Sequence, residues 1–293
     1  MKALAHSFAV QRQQGFAVYL LSNDEVELAV VPELGAKIIS LKNLRTGRQW
    51  MWHPPAGARL FANRPGDAFA HSPLVGADEC LPTIAPCVWQ GRELPDHGEV
   101  WHEAWEVDAE AWANGILKTS VRLKISPFEF ERIIELRERE IRLDYRLTNL
   151  SPRAEAFLWA FHPLLNLQPD DQLELPGSTR ALLNGTAWLD TVPLTTPEKK
   201  CAKVFAQPVT GGLAGIRNRT TGDRLEFTWN PAENDTLGLW LTHGGWHGHH
   251  HFAIEPTNSA SDALTLAVEQ NHCGLVPAAE SVSWQIGLRV GAN

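Results

Sequence analysis

Glu255 is a carboxylate whose neighbours predict a fixed orientation. In an extended strand successive side chains point to opposite faces, so Phe252 and Ile254 would enter a core while Glu255 and His251 face the other way. Pro256 interrupts ladder pairing and disfavours helix at the preceding residue, which predicts that Glu255 is held rigidly at a strand end. Such a carboxylate could act as a catalytic base, and equally could be a solvated group on a surface strand.

Two histidines could supply the acid that works with this base. His162 ends an almost wholly apolar run and precedes Pro163, so we expect a partly desolvated imidazole at a strand end. A buried imidazole needs partners for both ring nitrogens, and the alternative is a core histidine bonded to nearby backbone. His97 precedes Gly98, whose missing side chain permits close backbone approach or an unusual dihedral angle. The alternative for His97 is an exposed loop histidine.

A carboxylate pair, Asp78 and Glu79, lies in a segment from about Arg59 to Asp96 that is rich in proline and glycine and has no sustained periodicity. A long irregular segment within a compact domain is typically either a functional loop or a disordered one. The apolar residues embedded in this segment favour the functional loop. The two carboxylates are therefore candidates to bind hydroxyl groups of a substrate, although adjacent carboxylates are commonly just solvated.

A further polar feature is the run from His247 to His251. If this run is extended, His247, His249 and His251 share one face, as the imidazole ligands of a zinc ion would. The alternative is a polar loop beside a binding groove, in which His251 and the preceding Trp246 contact a ligand and His251 lies near Glu255. Because no fixed fourth ligand is visible in the sequence, we predict no tightly bound metal and no cofactor.

The elements that must position these groups are strands. Alternating apolar residues from Glu25 to Val31, followed by the apolar run Ile38–Leu41, predict a hairpin. Arg137–Glu140 is predicted to be a charged connection between strands. The same two-residue period recurs in six further segments, which are Leu117–Ile125, Ile141–Leu147, Leu225–Trp229, Leu237–Leu241, Leu264–Val268 and Val282–Val290. No stretch has a convincing helical period with caps, so we predict an all-β fold, a large antiparallel β-sandwich.

Length and composition predict a single domain over residues 1–293. Of the 293 residues, 44% are hydrophobic and 20% are charged, which provides ample apolar material for a core. The formal net charge of -8 and the lack of a Lys/Arg cluster argue against a nucleic-acid surface and against an anionic membrane as partner. The 12 Trp against 2 Tyr suit stacking on sugar rings as well as core packing.

The N-terminal residues lack the apolar run of a secretion signal, and no apolar run of membrane-spanning length is present. We therefore expect a cytoplasmic protein. The four cysteines, Cys80, Cys87, Cys201 and Cys273, include no CxxC pair, so neither a zinc knuckle nor a dense disulfide framework is indicated. We therefore expect reduced thiols. The sequence is compatible with both a monomer and a homodimer.

Taken together, the ordered motifs resemble those of the aldose 1-epimerase family, the galactose mutarotase-like proteins. The matching blocks are Glu33–Ile38, Asp96–Trp101, Phe161–Leu167 and Ile254–Thr257, and they extend over essentially the whole chain. Each motif is short, but the ordered set on an all-β background is fairly specific. The resemblance implies a supersandwich, the β-sandwich of the galactose mutarotase type, with an open groove that binds an aldose or a sugar derivative.

By the same resemblance, Glu255 would take the proton from the anomeric hydroxyl and His162 would protonate the ring oxygen, which opens the sugar to its aldehyde. Rotation next to the carbonyl and reclosure would give the other anomer. His97 would hydrogen-bond the sugar and help to stabilise charge at the ring oxygen. Such ring opening needs an acid and a base at the two ends of one O–C–O unit, and it requires neither a nucleophile nor a metal.

Two other functions remain open. A non-catalytic carbohydrate-binding protein would keep the groove and lack turnover. A hexose-6-phosphate epimerase would need two or more Arg or Lys side chains that converge on the phosphate, for which Arg48 and Arg64 are the candidates. Arg64 and Asp190 are also loose candidates for the family's substrate-binding arginine and aspartate.

Overall fold

The computed structural model describes residues 6–175, 180–183, 187–189 and 192–291. The strands, in chain order, are β1 (Ser7–Gln13), β2 (Phe16–Ser22), β3 (Val26–Val31), β4 (Lys37–Asn43), β5 (Ala77–Cys80), β6 (Cys87–Trp89), β7 (Arg92–Leu94), β8 (Glu106–Val107), β9 (Leu117–Arg122), β10 (Phe128–Arg137), β11 (Glu140–Asn149), β12 (Glu155–Phe157), β13 (Ala160–Leu165), β14 (Asp171–Glu174), β15 (Arg180–Leu183), β16 (Ala187–Leu189), β17 (Lys200–Gln207), β18 (Leu213–Asn218), β19 (Arg224–Trp229), β20 (Thr236–His243), β21 (His250–Thr257), β22 (Gly274–Val276) and β23 (Ser281–Gly291). The helices are α1 (Ala109–Ala113), α2 (Leu264–Glu269) and three short 3-10 turns, Pro32–Leu34, Phe69–His71 and Val100–His102.

Two antiparallel sheets contain most of these strands. The larger sheet has the order β1-β2-β3-β4-β5-β13-β21-β20-β17-β15-β16, and the smaller has the order β14-β18-β19-β23-β11-β10-β9-β8. The all-β antiparallel prediction is confirmed. The predicted hairpin is β3–β4, and the predicted charged connection joins β10 to β11, where Arg137 pairs with Glu140.

The main core lies between the two sheets. Leu28 and Ile254 enter it from the larger sheet, and Phe130, Leu143 and Ile286 enter it from the smaller sheet. All five side chains are completely buried. Along β10 and β11, buried residues alternate with more exposed ones, as expected for strands with one face on a core and one towards solvent.

The central strands of the larger sheet are buried on both faces. Every residue of β5 and β13 is buried, and β21 is buried from His251 onward. Loops and α2 cover the second face, where Cys80, Ala160 and Leu264 pack together. The unbroken apolar run before His162 is thus explained by burial on both sides.

One predicted strand is wrong. Leu264–Val268 lies in helix α2, in which the buried side chains are Leu264 and Ala267, three positions apart, while Leu266 is 49% exposed. A helix of this length is too short to display a clear helical period in the sequence. None of the helices in the described part of the chain is long and apolar enough to cross a membrane.

The irregular segment from Arg59 to Asp96 runs over the second face of the larger sheet. It contributes β5 to that sheet and also forms the small β6–β7 hairpin. The backbone N–H groups of Ile84 and Ala85 donate to the carbonyl oxygen of Asp262, at 2.9 and 2.7 Å. These bonds attach the segment to the turn before α2, so that it forms one wall of a cavity.

Candidate active site

A cavity of about 240 Å³ opens on the second face of the larger sheet. Strands β13, β17, β20 and β21 provide one side, and the Arg59–Asp96 segment provides another. The lining combines aromatic, aliphatic and ionisable side chains, which are Phe69, Ile84, Ala85, Pro86, Asp96, His97, His162, Leu164, Lys203, Trp240, Trp246, His251 and Asp262. Aromatic walls with a few ionisable groups suit a small polar ligand.

Glu255 lies beneath this cavity, inside β21 rather than at its end. The strand continues through Pro256 to Thr257, and Gly238 on β20 is paired with Glu255. The predicted strand end is therefore wrong. Glu255 has no exposed surface, which also excludes a solvated surface carboxylate. Its Oε2 accepts a hydrogen bond from Lys203 Nζ, and its Oε1 has no hydrogen-bond partner among the described residues.

His162 stands opposite Glu255 on the adjacent strand β13. The register of β13 and β21 places the two side chains on the same face, and His162 Nε2 lies 3.7 Å from Glu255 Oε1. The desolvation expected from the apolar run is present, since 7% of the His162 side chain is exposed. The predicted strand end is wrong, because His162 lies inside β13. Within the described chain, His162 Nδ1 has no hydrogen-bond partner.

His97 lies beside His162 at the cavity. The two ring centroids are 5.2 Å apart and the rings are perpendicular. His97 Nδ1 donates to Asp96 Oδ1 at 2.8 Å, and the His97 ring stacks on Phe69 at 4.0 Å. Both His97 and Gly98 have positive φ, and a Cβ at Gly98 would overlap a backbone carbonyl of the segment that follows β5. The sharp turn that presents His97 therefore requires glycine at the next position.

Burial and charge set the protonation of these groups. Burial lowers the pKa of His162 well below its usual value, and the positive charges of His97 and Lys203 add to this effect. Burial raises the pKa of Asp96, but the hydrogen bond from His97 and its charge have the larger combined effect and leave the pKa of Asp96 below its usual value. His162 is therefore uncharged at neutral pH, and Asp96 is a carboxylate.

Lys203 and Asp262 are candidates that sequence reasoning missed. Lys203 projects from β17, on the face opposite the more buried Ala202 and Val204, and 16% of its side chain is exposed. Its Nζ lies 3.7 Å from Asp262 Oδ1. Although burial opposes its charge, Glu255 and Asp262 raise the pKa of Lys203. No linear signal indicates this site, because Lys203 is 52 residues from Glu255 in the chain.

Asp78 is a neighbour of His162 rather than a lining residue. The two residues are in register on β5 and β13. The Asp78 carboxylate is 1% exposed and pairs with the equally buried ammonium group of Lys37. A ligand in the cavity therefore has no direct path to the Asp78 carboxylate, which the predicted contact would require.

Glu79 is a core carboxylate, and its predicted contact with a ligand is wrong. It is completely buried and accepts hydrogen bonds from Arg132 Nη1, Tyr145 OH and Trp159 Nε1, each at 2.9 Å. Arg132 is also completely buried. Because successive residues of a strand face opposite sides, Glu79 points to the inter-sheet core when Asp78 points to the second face.

The histidine run forms a hairpin loop and is not extended throughout. His247 and His249 lie between β20 and β21, and His247 has a positive φ. The Trp246 ring lies 4.9, 5.8 and 5.9 Å from the rings of His247, His249 and His251. No group of three or more potential metal ligands occurs among the described residues. Trp246 and His251 both line the cavity.

The arginines considered as phosphate ligands do not face the cavity. Arg48 is 3% exposed and makes a bidentate pair with Asp171. Arg64 is exposed and lies outside the cavity lining. Asp190 is outside the described residues. Among the lining residues that the structure describes, Lys203 is the one lysine or arginine.

His251 should make the protein sensitive to acid. Burial lowers the pKa of His251 to about 3, whereas an unfolded histidine titrates near about 6.5. The unfolded chain therefore binds a proton that the folded protein does not, and stability is lost progressively as the pH falls from about 6.5 towards 3. When the pH is lowered from 7 to 5, the unfolding free energy of the wild type should fall by about 2 kcal/mol more than that of His251→Phe.

Urea unfolding at the two pH values measures this difference. Phenylalanine keeps a ring at this position and sacrifices no hydrogen bond, since neither His251 ring nitrogen has a partner among the described residues. His71→Phe, at an exposed position, is the matched control. Equal acid sensitivity of the wild type and His251→Phe would contradict a buried, uncharged His251.

The chain resembles known proteins in both sequence and fold. The family model described as Aldose 1-epimerase matches residues 17–209. Among curated proteins, none matches the chain. The Slr1438 protein from Synechocystis sp. PCC 6803 is 18% identical, with a TM-score of 0.76, and the match covers 98% of this chain and 99% of that one.

Two further solved structures are similar. A galactose mutarotase-like protein from Clostridium acetobutylicum is 13% identical over 100% of both chains, with a TM-score of 0.73. A galactose mutarotase related enzyme from Lactobacillus acidophilus is 14% identical over 94% of this chain and 97% of that one, with a TM-score of 0.72. These likenesses confirm the predicted fold, a β-sandwich of the galactose mutarotase type. Because the family model matches more than half of the chain, the protein belongs to the aldose 1-epimerase family.

Proposed function

We propose that this protein is an aldose 1-epimerase that interconverts the α and β anomers of a neutral aldose. One observation carries the proposal: Glu255 Oε1 and His162 Nε2 lie 3.7 Å apart, with His162 in the wall of a cavity large enough for a monosaccharide and Glu255 directly beneath it. Trp240, Trp246 and Phe69 line the same cavity and offer aromatic surfaces to the C–H faces of a sugar ring.

Glu255 is the proposed base and His162 the proposed acid. Glu255 takes the proton from the anomeric hydroxyl, and the electron pair left on that oxygen forms the carbonyl as the bond from C1 to the ring oxygen breaks. His162 gives a proton to the ring oxygen, which yields the open-chain aldehyde. Rotation next to the carbonyl and the reverse proton transfers close the other anomer. His97, held by Asp96 and Phe69, forms a hydrogen bond with the sugar through its second ring nitrogen.

A neutral sugar suits the charge of the cavity. Lys203, the one lysine or arginine among the described lining residues, already neighbours the carboxylates of Glu255 and Asp262. Asp96 adds a third carboxylate at this cavity. A phosphate group would be repelled by these like charges, so the geometry favours a free aldose over a hexose 6-phosphate.

The proposed acid predicts a distinctive pH profile. Burial lowers the pKa of His162 well below the histidine value of about 6.5. Above that lowered pKa, the protonated form that serves as acid decreases about tenfold per pH unit. Turnover should therefore decline as the pH rises, and this decline should begin below about pH 6.5. Initial rates of anomer exchange between about pH 4 and about pH 9 measure this decline, and an alkaline limb that begins above about pH 7 would exclude His162 as the acid.

A carbohydrate-binding protein without turnover is the second candidate. The observation that favours it is the complete burial of Glu255. A ligand in the cavity reaches this carboxylate only after a small movement of His162 or Lys203, the two lining side chains that contact it. Both candidates predict that a sugar binds in the cavity, and the epimerase alone predicts faster anomer exchange.

Polarimetry tests the proposed function. Freshly dissolved α anomers of neutral aldoses should relax to equilibrium at a rate that rises in proportion to the protein concentration. Glucose 6-phosphate serves as the charged comparison, and the protein should raise its relaxation rate above its own buffer rate by less than it does for glucose. Relaxation at the buffer rate for every sugar, together with sugar binding detected by calorimetry, would favour the binding protein.

A further inference from the structure

We infer that Lys203 is a further catalytic residue, whose ammonium group keeps the buried Glu255 carboxylate charged and donates a hydrogen bond to the anomeric oxygen of the sugar. This inference rests on the proposed epimerase function. Lys203 forms part of the cavity wall, whereas Glu255 has no exposed surface. A sugar in the cavity therefore meets Lys203 and His162 before it meets the carboxylate.

The Lys203 side chain is held between two carboxylates. Its Nζ donates to Glu255 Oε2 and lies 3.7 Å from Asp262 Oδ1. The backbone carbonyl of Asp262 accepts hydrogen bonds from the N–H groups of Ile84 and Ala85, which fixes this residue to the cavity wall. Charged neighbours on both sides allow an ammonium group to remain ionised in a largely buried position.

The neighbouring strand β20 leaves space for this ion pair. A Cβ at Gly238 would lie 3.1 Å from Glu255 Oε2 and 3.4 Å from Lys203 Nζ. Gly238 is not among the glycines with positive φ, so its place here is explained by space and not by backbone conformation. Any side chain at this position would press on the contact between Lys203 and Glu255.

The charge of Lys203 assists the proposed proton transfer in two ways. A fully buried carboxylate that lacks a counter-ion takes up a proton readily, and a protonated Glu255 cannot act as a base. An N–H donor at the anomeric oxygen also stabilises the negative charge that develops there as the proton leaves. Lys203 keeps its own proton throughout, so one proton still moves to Glu255 and one still leaves His162.

Three variants test this role through the pH dependence of kcat. Lys203→Met keeps most of the side-chain length and removes the charge. We therefore expect the acid limb of the profile, which is the fall in kcat at low pH, to move up by about 1 to 3 pH units, a loss of about 10- to 1000-fold on that limb. Lys203→Arg keeps the charge and should leave the limb in place. Lys118→Met removes an ion-paired lysine from the smaller sheet and should leave the whole profile unchanged.

The outcomes distinguish this inference from the proposed function. An unshifted acid limb in an active Lys203→Met protein overturns the inference alone. If the wild type exchanges no anomers, the proposed function fails. The role of Lys203 as counter-ion of Glu255 is then tested by the stability of the variants. Relative to the wild type, Lys203→Met should be less stable at about pH 8 than at about pH 5, and the double variant Lys203→Met/Glu255→Gln should lose that difference. A double variant that is as unstable as Lys203→Met, or that also fails to fold, would overturn the counter-ion role.

Discussion

Glu255→Gln is expected to lower the turnover of anomer exchange by about 100- to 10,000-fold. Glutamine keeps the size of the side chain and still accepts a hydrogen bond from Lys203, but it cannot take a proton from the anomeric hydroxyl. The affinity for sugar should change little, because the glutamine amide oxygen still accepts a hydrogen bond from the anomeric hydroxyl. Polarimetric rates at several sugar concentrations separate the two effects.

A matched variant checks that the loss belongs to this position. Glu129→Gln changes an exposed strand glutamate on the smaller sheet and should keep the wild-type rate. A correctly folded Glu255→Gln protein with full activity would remove the base from the mechanism while leaving the reaction in place.

Arg132→Met is expected to lower the unfolding free energy by about 3 to 5 kcal/mol. Arg132 and Glu79 form a completely buried ion pair in the core, and the guanidinium carbon also lies 5.3 Å from the Trp105 ring centroid. Methionine fills much of the same space, but it leaves the Glu79 carboxylate with the neutral donors Tyr145 and Trp159. An unpaired buried charge is costly even when it is hydrogen-bonded.

Urea unfolding at neutral pH measures this loss. Arg142→Met, which removes a partly exposed pair with Asp144, should change the unfolding free energy by less than about 1 kcal/mol. The double variant Arg132→Met/Glu79→Leu should regain part of the stability, since it leaves neither charge in the core. A loss in Arg132→Met as small as that in Arg142→Met would show that the pair contributes no more than a surface contact.

Strands with one solvated face could be predicted from the sequence, because apolar and polar residues alternate along them. The strands β9, β10 and β11 follow this rule. Strands β5 and β13 do not, since burial on both faces removes the alternation. The same ambiguity led to the wrong assignment of Glu79, because nothing local to the sequence indicates which face of a doubly buried strand meets the cavity.

The candidate site could be predicted where a residue is marked by its immediate neighbours. His97 is marked by Gly98, and His162 by the apolar run before it, and both line the cavity. No neighbouring residues in the sequence indicate that Lys203 and Asp262 belong to a site. Lys203 reaches Glu255 because the order of the larger sheet places β17 beside β20 and β20 beside β21. This order is set by long-range packing, and no spacing in the chain encodes it.

NMR saturation transfer between the signals of the two anomeric protons tests the proposed activity and the proposed base together. With a neutral aldose, the wild type should transfer saturation at a rate that rises with protein concentration, while Glu255→Gln at the same concentration should stay close to the buffer rate. Across a panel of free and phosphorylated aldoses, the largest increase in transfer rate over buffer should belong to a free sugar. Wild-type transfer no faster than buffer for every sugar in the panel would contradict the assignment of this protein as an aldose 1-epimerase enzyme.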